Sequence, residues 1–154
     1  MPLLKDGAVV ADAWAHLTDD TPAPSTGAVT VSFSRWRDGR AVLLARGTPL
    51  GVRLANTDPV DALAPDLERL ALVVLHFPKF TDGRAYGQAR RLRAFHHYRG
   101  ELRATGNVLQ DQLLAMARVG FDAFEMAAAD AARRWQDATA AITHFYQPRR
   151  RAAV

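Results

Sequence analysis

The chain contains no cysteine. It therefore forms no disulfide, offers no thiolate to an iron–sulfur cluster and runs no thiol redox chemistry. It has no apolar run long enough to cross a bilayer. Its opening residues, MPLLKDGAVVADAW, lack the charged-then-apolar layout and small-residue cleavage site of a secretory signal, so a cytoplasmic protein is expected. The five histidines are scattered apart from His96 and His97, no HExxH spacing occurs, and no metal site is expected. GxGxxG, GxxxxGK[ST] and GxSxG are missing too, which removes the usual devices of dinucleotide, P-loop and serine-hydrolase chemistry. Aromatic residues make up 8%, and Trp14, Trp36 and Trp135 give no stacking pattern, so they read as core and nucleic acid is not an expected partner.

What is present is the composition of a soluble globular protein. With 154 residues, 49% of them hydrophobic and 23% charged, the chain can bury the core of one domain. Charge is uneven: residues 1–75 hold seven Lys/Arg against nine Asp/Glu, and residues 76–154 hold thirteen against seven. An acidic ligand or partner would be drawn to the second half.

The first 55 residues read as short strands and turns. Leu3-Leu4 and Val9-Val10 flank the turn Lys5-Asp6-Gly7 as a hairpin would. Thr18–Gly27 is a polar, proline-bearing loop, and Val29-Thr-Val-Ser-Phe alternates like a half-buried strand. Arg37–Arg40 reads as a turn, Ala41–Ala45 as a strand or short helix, and Gly51–Ala55 as a strand. From Asp58 the pattern becomes alternating helix and strand. Asp58-Pro59-Val60-Asp61 resembles a capped helix start that Pro65 interrupts, and Leu70–Phe77 is the continuous apolar run of a strand covered on both faces. A helix follows over about 82–98, with Ala85, Ala89, Leu92 and Phe95 as its buried stripe. Strand 101–104, helix 108–119, strand 121–125 and helix 130–145 come next, the last with Ala131, Trp135, Ala138 and Ile142 inward. About four β-α units imply an α/β fold with a parallel, half-barrel-like sheet behind short N-terminal strands. One domain over 1–147 is expected, β-rich to residue 55 and built of β-α repeats from 56, with a basic disordered tail at 148–154.

Two turns between Phe77 and Asp111 stand out. The first carries Lys79, Thr81, Asp82, Gly83 and Arg84; the second carries Arg103, Thr105, Gly106 and Asn107. Each follows a strand and opens a helix, where free backbone N–H groups and the helix dipole favour an anion. Between parallel neighbours both would lie at one carboxyl edge, the usual ligand side of an α/β sheet. Lys79, Arg84 and Arg103 could hold an oxyanion there, or Thr81, Asp82 and Asn107 could simply cap helices beside solvated cations. Gly106 suits a positive φ. Asp111 serves as a general base or pairs with Arg103 or Arg84. Asp82 and Glu125 are the other acid–base candidates, and His76 and Glu125 sit at strand carboxyl ends. His96 and His97 close a helix and complement its dipole. Arg90 and Arg93 share the helix face opposite Ala85, Ala89 and Leu92, which makes them a solvated surface.

FPKFTDGRAYGQARRLR, then GELRATGNVLQDQL, then GFDAFE closely resembles the bacterial family known as domain of unknown function 934. The resemblance covers Gly51 to Glu125 and continues more loosely to Tyr146-Gln147; the first 50 residues match only in general style. Phe80, Thr81, Asp82, Gly83, Arg84, Arg90, Gly100, Glu101, Arg103, Gly106, Asp111 and Gln112 keep the pattern. Ala85, Gly87, Asn107 and Gln110 stand where glycine, serine, aspartate and arginine are expected, and Asn107 cannot supply a carboxylate. The resemblance implies a role in assimilatory sulfite reduction, at the step that makes sulfide. Members carry an oxidoreductase label, yet enzymes that reduce sulfite use sirohaem beside an iron–sulfur cluster, which a chain without cysteine cannot hold by thiolates. The implied reading is an accessory protein that binds or assists sulfite reductase, with a small oxyanion at its carboxyl edge. The alternative is a small-molecule enzyme on a barrel-like scaffold, with Asp82, Asp111 or Glu125 as acid or base. No cofactor is expected; a flavin- or haem-binding subunit is the third option, and an exposed sheet edge makes a homodimer reasonable.

Overall fold

A computed structural model of the chain describes residues 2–126 and 130–141. Its strands are β1 (Leu3–Lys5), β2 (Ala8–Val10), β3 (Ala15–His16), β4 (Val29–Ser32), β5 (Leu50–Leu54), β6 (Leu72–Phe77), β7 (Glu101–Gly106) and β8 (Ala123–Glu125). They form one sheet in the order β2-β1-β8-β7-β6-β5-β4-β3. From β3 to β8 each strand lies parallel to the next in chain order, whereas β1 runs antiparallel to both β2 and β8. The α/β half-barrel is as expected, but the sheet is mixed, because the N-terminal hairpin joins it beside β8.

Sequential order fixes where the helices go. Every right-handed crossover from β4 onward steps one strand in the same direction, so all the connecting helices pack on one face. These are α1 (Phe33–Ala45), α2 (Arg84–Arg90) and α3 (Leu113–Val119), with a 3₁₀ segment at Val60–Arg69 between β5 and β6; α4 (Ala131–Ala141) follows the last strand and packs beside α3. Against them the sheet presents Leu4, Val29, Val31, Val52, Leu54, Val73, Leu75, Phe77, Leu102, Ala104 and Phe124, all buried.

The sheet is strongly curled. Val10 ends β2 at one edge and Ala15 begins β3 at the other. Five Cα steps span at most about 18 Å, whereas the outer strands of a flat eight-stranded sheet would lie about 33 Å apart. The segment Ala11–Trp14 therefore straps the open side of the half-barrel.

Several local expectations change in three dimensions. Arg37–Arg40 is no turn: it lies within α1, where Gly39 (φ −117°, ψ 20°) only kinks the helix, so β-α alternation begins at Val29. Ser32 caps α1 by accepting from the Arg35 amide at 3.1 Å. Val29, Thr30 and Val31 are all buried, as a central parallel strand requires. Asp58 does not cap the next helix; its carboxylate accepts from the Ala55 amide at 2.7 Å. The hairpin forms as read, with Asp6 and Gly7 at φ 51° and 82°.

The helix after β6 departs most. It is α-helical only to Arg90 and continues as a π-turn over Arg91–Phe95. The wider turn shifts the phase of the pattern. Ala85, Ala89 and Leu92 are fully buried as expected, yet Phe95 swings out to 63% exposure. Arg93, expected on a solvated face, turns in and donates to the carbonyls of Tyr98, Gly100 and Gly120 and to Asp122. In α4, Ala131 is buried and Trp135 and Ala138 pack against the core; Ile142 and the 148–154 tail lie outside the described residues. Among the described residues no helix is long and apolar enough to cross a membrane.

Candidate functional site

The concave face of the sheet is polar. Register puts Lys5, Ala123, Arg103, Val74, Arg53 and Ser32 in one row across it. His76 and Thr105 face inward nearer the carboxyl edge, and Glu101, Leu72, Gly51, Thr30 and His16 share a row nearer the amino edge. The alternation of Glu-Leu-Arg-Ala-Thr in β7 explains this: the apolar residues meet the helices and the polar ones meet one another.

Arg103 is the centre of the site. It lies mid-strand, not in the turn where the sequence placed it, and is 1% exposed. Its guanidinium donates to Glu101 at 2.9 and 3.1 Å, to Asp12 at 2.9 Å and to Glu125 at 3.3 Å. Lys5 Nζ donates to the other Glu101 oxygen at 2.6 Å, and Thr105 Oγ1 to the other Glu125 oxygen at 2.7 Å. Asp12 arrives from the strap. Its Oδ2 also meets His16 Nε2 at 2.7 Å, and His16 Nδ1 meets Thr30 Oγ1 at 2.7 Å. Burial works against the charge of Arg103, but the hydrogen bonds it donates to Asp12 and Glu101 outweigh it and hold the pKa above its usual value. Burial likewise pushes Asp12 up, yet His16, Arg103 and the Trp14 amide together leave it below the ordinary carboxylate range.

Arg53 shares this face in a different state. It donates to the Leu17 carbonyl and, among the described residues, has no carboxylate within ion-pair distance. Burial lowers its pKa against the pull of Asp19 and Glu125. Asp12, His16 and Glu125 bring one ligand atom each to within 4.8 Å of one another, the arrangement a divalent cation would need. Their carboxylates are already engaged by Arg103.

The residues singled out in the sequence divide into two places. Arg103 and Glu125 converge on the inner face. Asp82 and Arg84 instead chelate each other at the start of α2, with Arg84 Nη2 2.7 Å from Asp82 Oδ2 and Asn56 Nδ2 donating to the same oxygen at 2.7 Å. The Arg84 bonds hold Asp82 down at about 2. Lys79, Thr81 and Gly83 are exposed on that loop. Gly106 has the expected positive φ, 91°, and its amide neighbour Asn107 donates its backbone N–H to the Phe77 carbonyl at 2.8 Å. Asn107 caps no helix: the 3₁₀ turn Gln110–Gln112 begins after Leu109, and α3 begins after Gln112. Asp111 is exposed and pairs with neither Arg103 nor Arg84, whose partners are Asp12, Glu101, Glu125 and Asp82. His76 lies over Gly106, its ring 2.7 Å from where a Cβ would stand.

Asp12, His16 and Arg53 were not anticipated. The i, i+4 spacing of Asp12 and His16 and the charged alternation of β7 were the available signals; the strap that joins them belongs to the curled sheet. No curated protein matches the chain. A family model of bacterial proteins of unknown function matches residues 51–154, which leaves the strap with Asp12 and His16 outside the match while including Arg53, Glu101, Arg103, Thr105 and Glu125. The chain belongs to that family, DUF934.

Proposed function

We propose that the protein is an accessory factor of assimilatory sulfite reduction that acts by binding sulfite reductase, not by turning over a substrate itself. The resemblance over Gly51–Glu125 supports the pathway. The observation that carries the mode of action is the state of Arg103: a cation that could anchor a substrate anion is 1% exposed and claimed by three carboxylates of its own chain. Arg84 is likewise claimed by Asp82. A small oxyanion would be held at the exposed loop of Lys79, Thr81 and Gly83, beside Gly106 and Asn107 at the same carboxyl edge.

Deleting the gene should abolish growth on sulfate and on sulfite while sparing growth on sulfide, and tagged protein should co-elute with the reductase. Normal growth on sulfite together with no co-elution would overturn the proposal. The free edge of β2, where Val9 and Val10 are 49% and 39% exposed, is where a homodimer would pair; sedimentation decides it.

The convergence of Asp12, His16 and Glu125 favours a second reading, a small-molecule enzyme with Glu125 as its acid or base. That reading requires sulfite, sulfate or phosphate at millimolar concentration to raise the melting temperature, and Glu125→Gln to abolish turnover while retaining the shift.

A further inference from the structure

Phe95 is a large aromatic held in solvent by the π-turn of Arg91–Phe95. A regular helix would have carried it inward with Ala85, Ala89 and Leu92. The Arg91 guanidinium lies over its ring, 4.7 Å from the centroid, and His96 meets the ring edge-on at 5.0 Å. Beside it runs an open groove of about 380 Å³ lined by Gly87, Arg90, Arg91, Ala94 and Phe95. The groove is shallow, Gly87 and Ala94 add little bulk to it, and nothing within 4 Å faces a Cβ built at Gly87. Among the described residues Arg90 has no carboxylate partner, while Arg91 shares Asp61 with His96.

Taking the accessory reading as its premise, we infer that this groove is a docking site for an acidic segment of a partner protein that inserts one apolar side chain beside Phe95. Charge complementarity selects the partner: Arg90 and Arg91 line the groove with a single carboxylate among the described residues, Asp61, paired to Arg91, and the half of the chain that contains them carries the excess of Lys/Arg. Arginine and an exposed aromatic side by side are the residue types that dominate protein interfaces. A π-turn that breaks the buried stripe is a recurrent mark of function. The unpaired Arg90 supplies a donor fork for a carboxylate.

The test uses full-length protein and purified sulfite reductase, with wild type, Phe95→Ala, Arg90→Glu and, as a charge-reversal control on the exposed side of α1, Arg37→Glu. Phe95→Ala and Arg90→Glu should each weaken binding about tenfold or more, and Arg37→Glu should not. Wild-type affinity in both groove variants overturns the docking site and leaves the accessory reading standing. If wild type does not bind the reductase, the accessory reading fails by itself. The groove is then judged with a glutamate-rich peptide carrying one leucine: NMR shifts confined to Gly87, Ala94 and Phe95 support it. No shifts, or equal shifts with a lysine-rich peptide, single-stranded DNA or anionic vesicles, overturn it.

Discussion

Asp12 Oδ2 accepts from Arg103 Nη1 at 2.9 Å across 91 residues of sequence, and this bond ties the strap to the middle of the sheet. The strap bridges the two sheet edges, so the pair helps hold the curl. Truncation by Asp12→Ala should cost about 1–3 kcal/mol, measured by urea unfolding. A double-mutant cycle with Arg103→Met should recover a coupling of about 0.5–3 kcal/mol; additivity would show that the bond is incidental.

Arg103 is the cation that Glu101, Glu125 and Asp12 share. Arg103→Met leaves three carboxylates facing one another and should destabilise the protein by about 3–5 kcal/mol at pH 7. Asp12 loses one of the hydrogen bonds that hold its pKa down, so the variant should lose less stability than wild type as the pH falls through the carboxylate range. Parallel pH profiles would contradict this account.

Asp61 and Asp82 are both held down at about 2 by arginine hydrogen bonds, Arg91 with His96 for the first and Arg84 for the second. Their folded pKa values lie below the unfolded value of 3.8. The stability they contribute is therefore complete above about pH 4 and lost as the pH falls toward 2. The double variant Asp61→Asn/Asp82→Asn should flatten the wild-type decline across that window, read by thermal melts from pH 5 to 2.

Gly106 occupies φ 91°, and a Cβ there would stand 2.4 Å from the Phe77 carbonyl oxygen and 2.7 Å from the His76 ring. Gly106→Ala should cost about 2 kcal/mol or more, because both the backbone conformation and the space exclude a side chain. Asn107→Ala, one residue on, should stay within about 0.5 kcal/mol. A loss of about 1–2 kcal/mol at Asn107 is what a capping residue would give.

Much of the fold was legible. The apolar run of β6 reads directly as a doubly covered strand, and Asp6-Gly7 reads as the hairpin turn. The Phe77–Asp111 motifs identify the family. α1 was missed because Asp38-Gly39 is a strong turn signal that packing against β4 and β5 overrides. Phe95 and Arg93 exchanged faces because one π-turn changes the phase of a helix, and composition alone does not mark where such a turn falls.

The sequence by itself determined the absence of thiol chemistry, the helix–strand alternation and the motifs that make this a DUF934 chain, since each depends on residue type or local spacing. Tertiary structure decided which charges meet. Glu101, Arg103 and Glu125 share a face through strand pleat and register, and Asp12 and His16 join them only because the sheet curls far enough for four residues to bridge its edges. That curl follows from strands laid down in sequential order with every helix on one side, a global property that no local window contains.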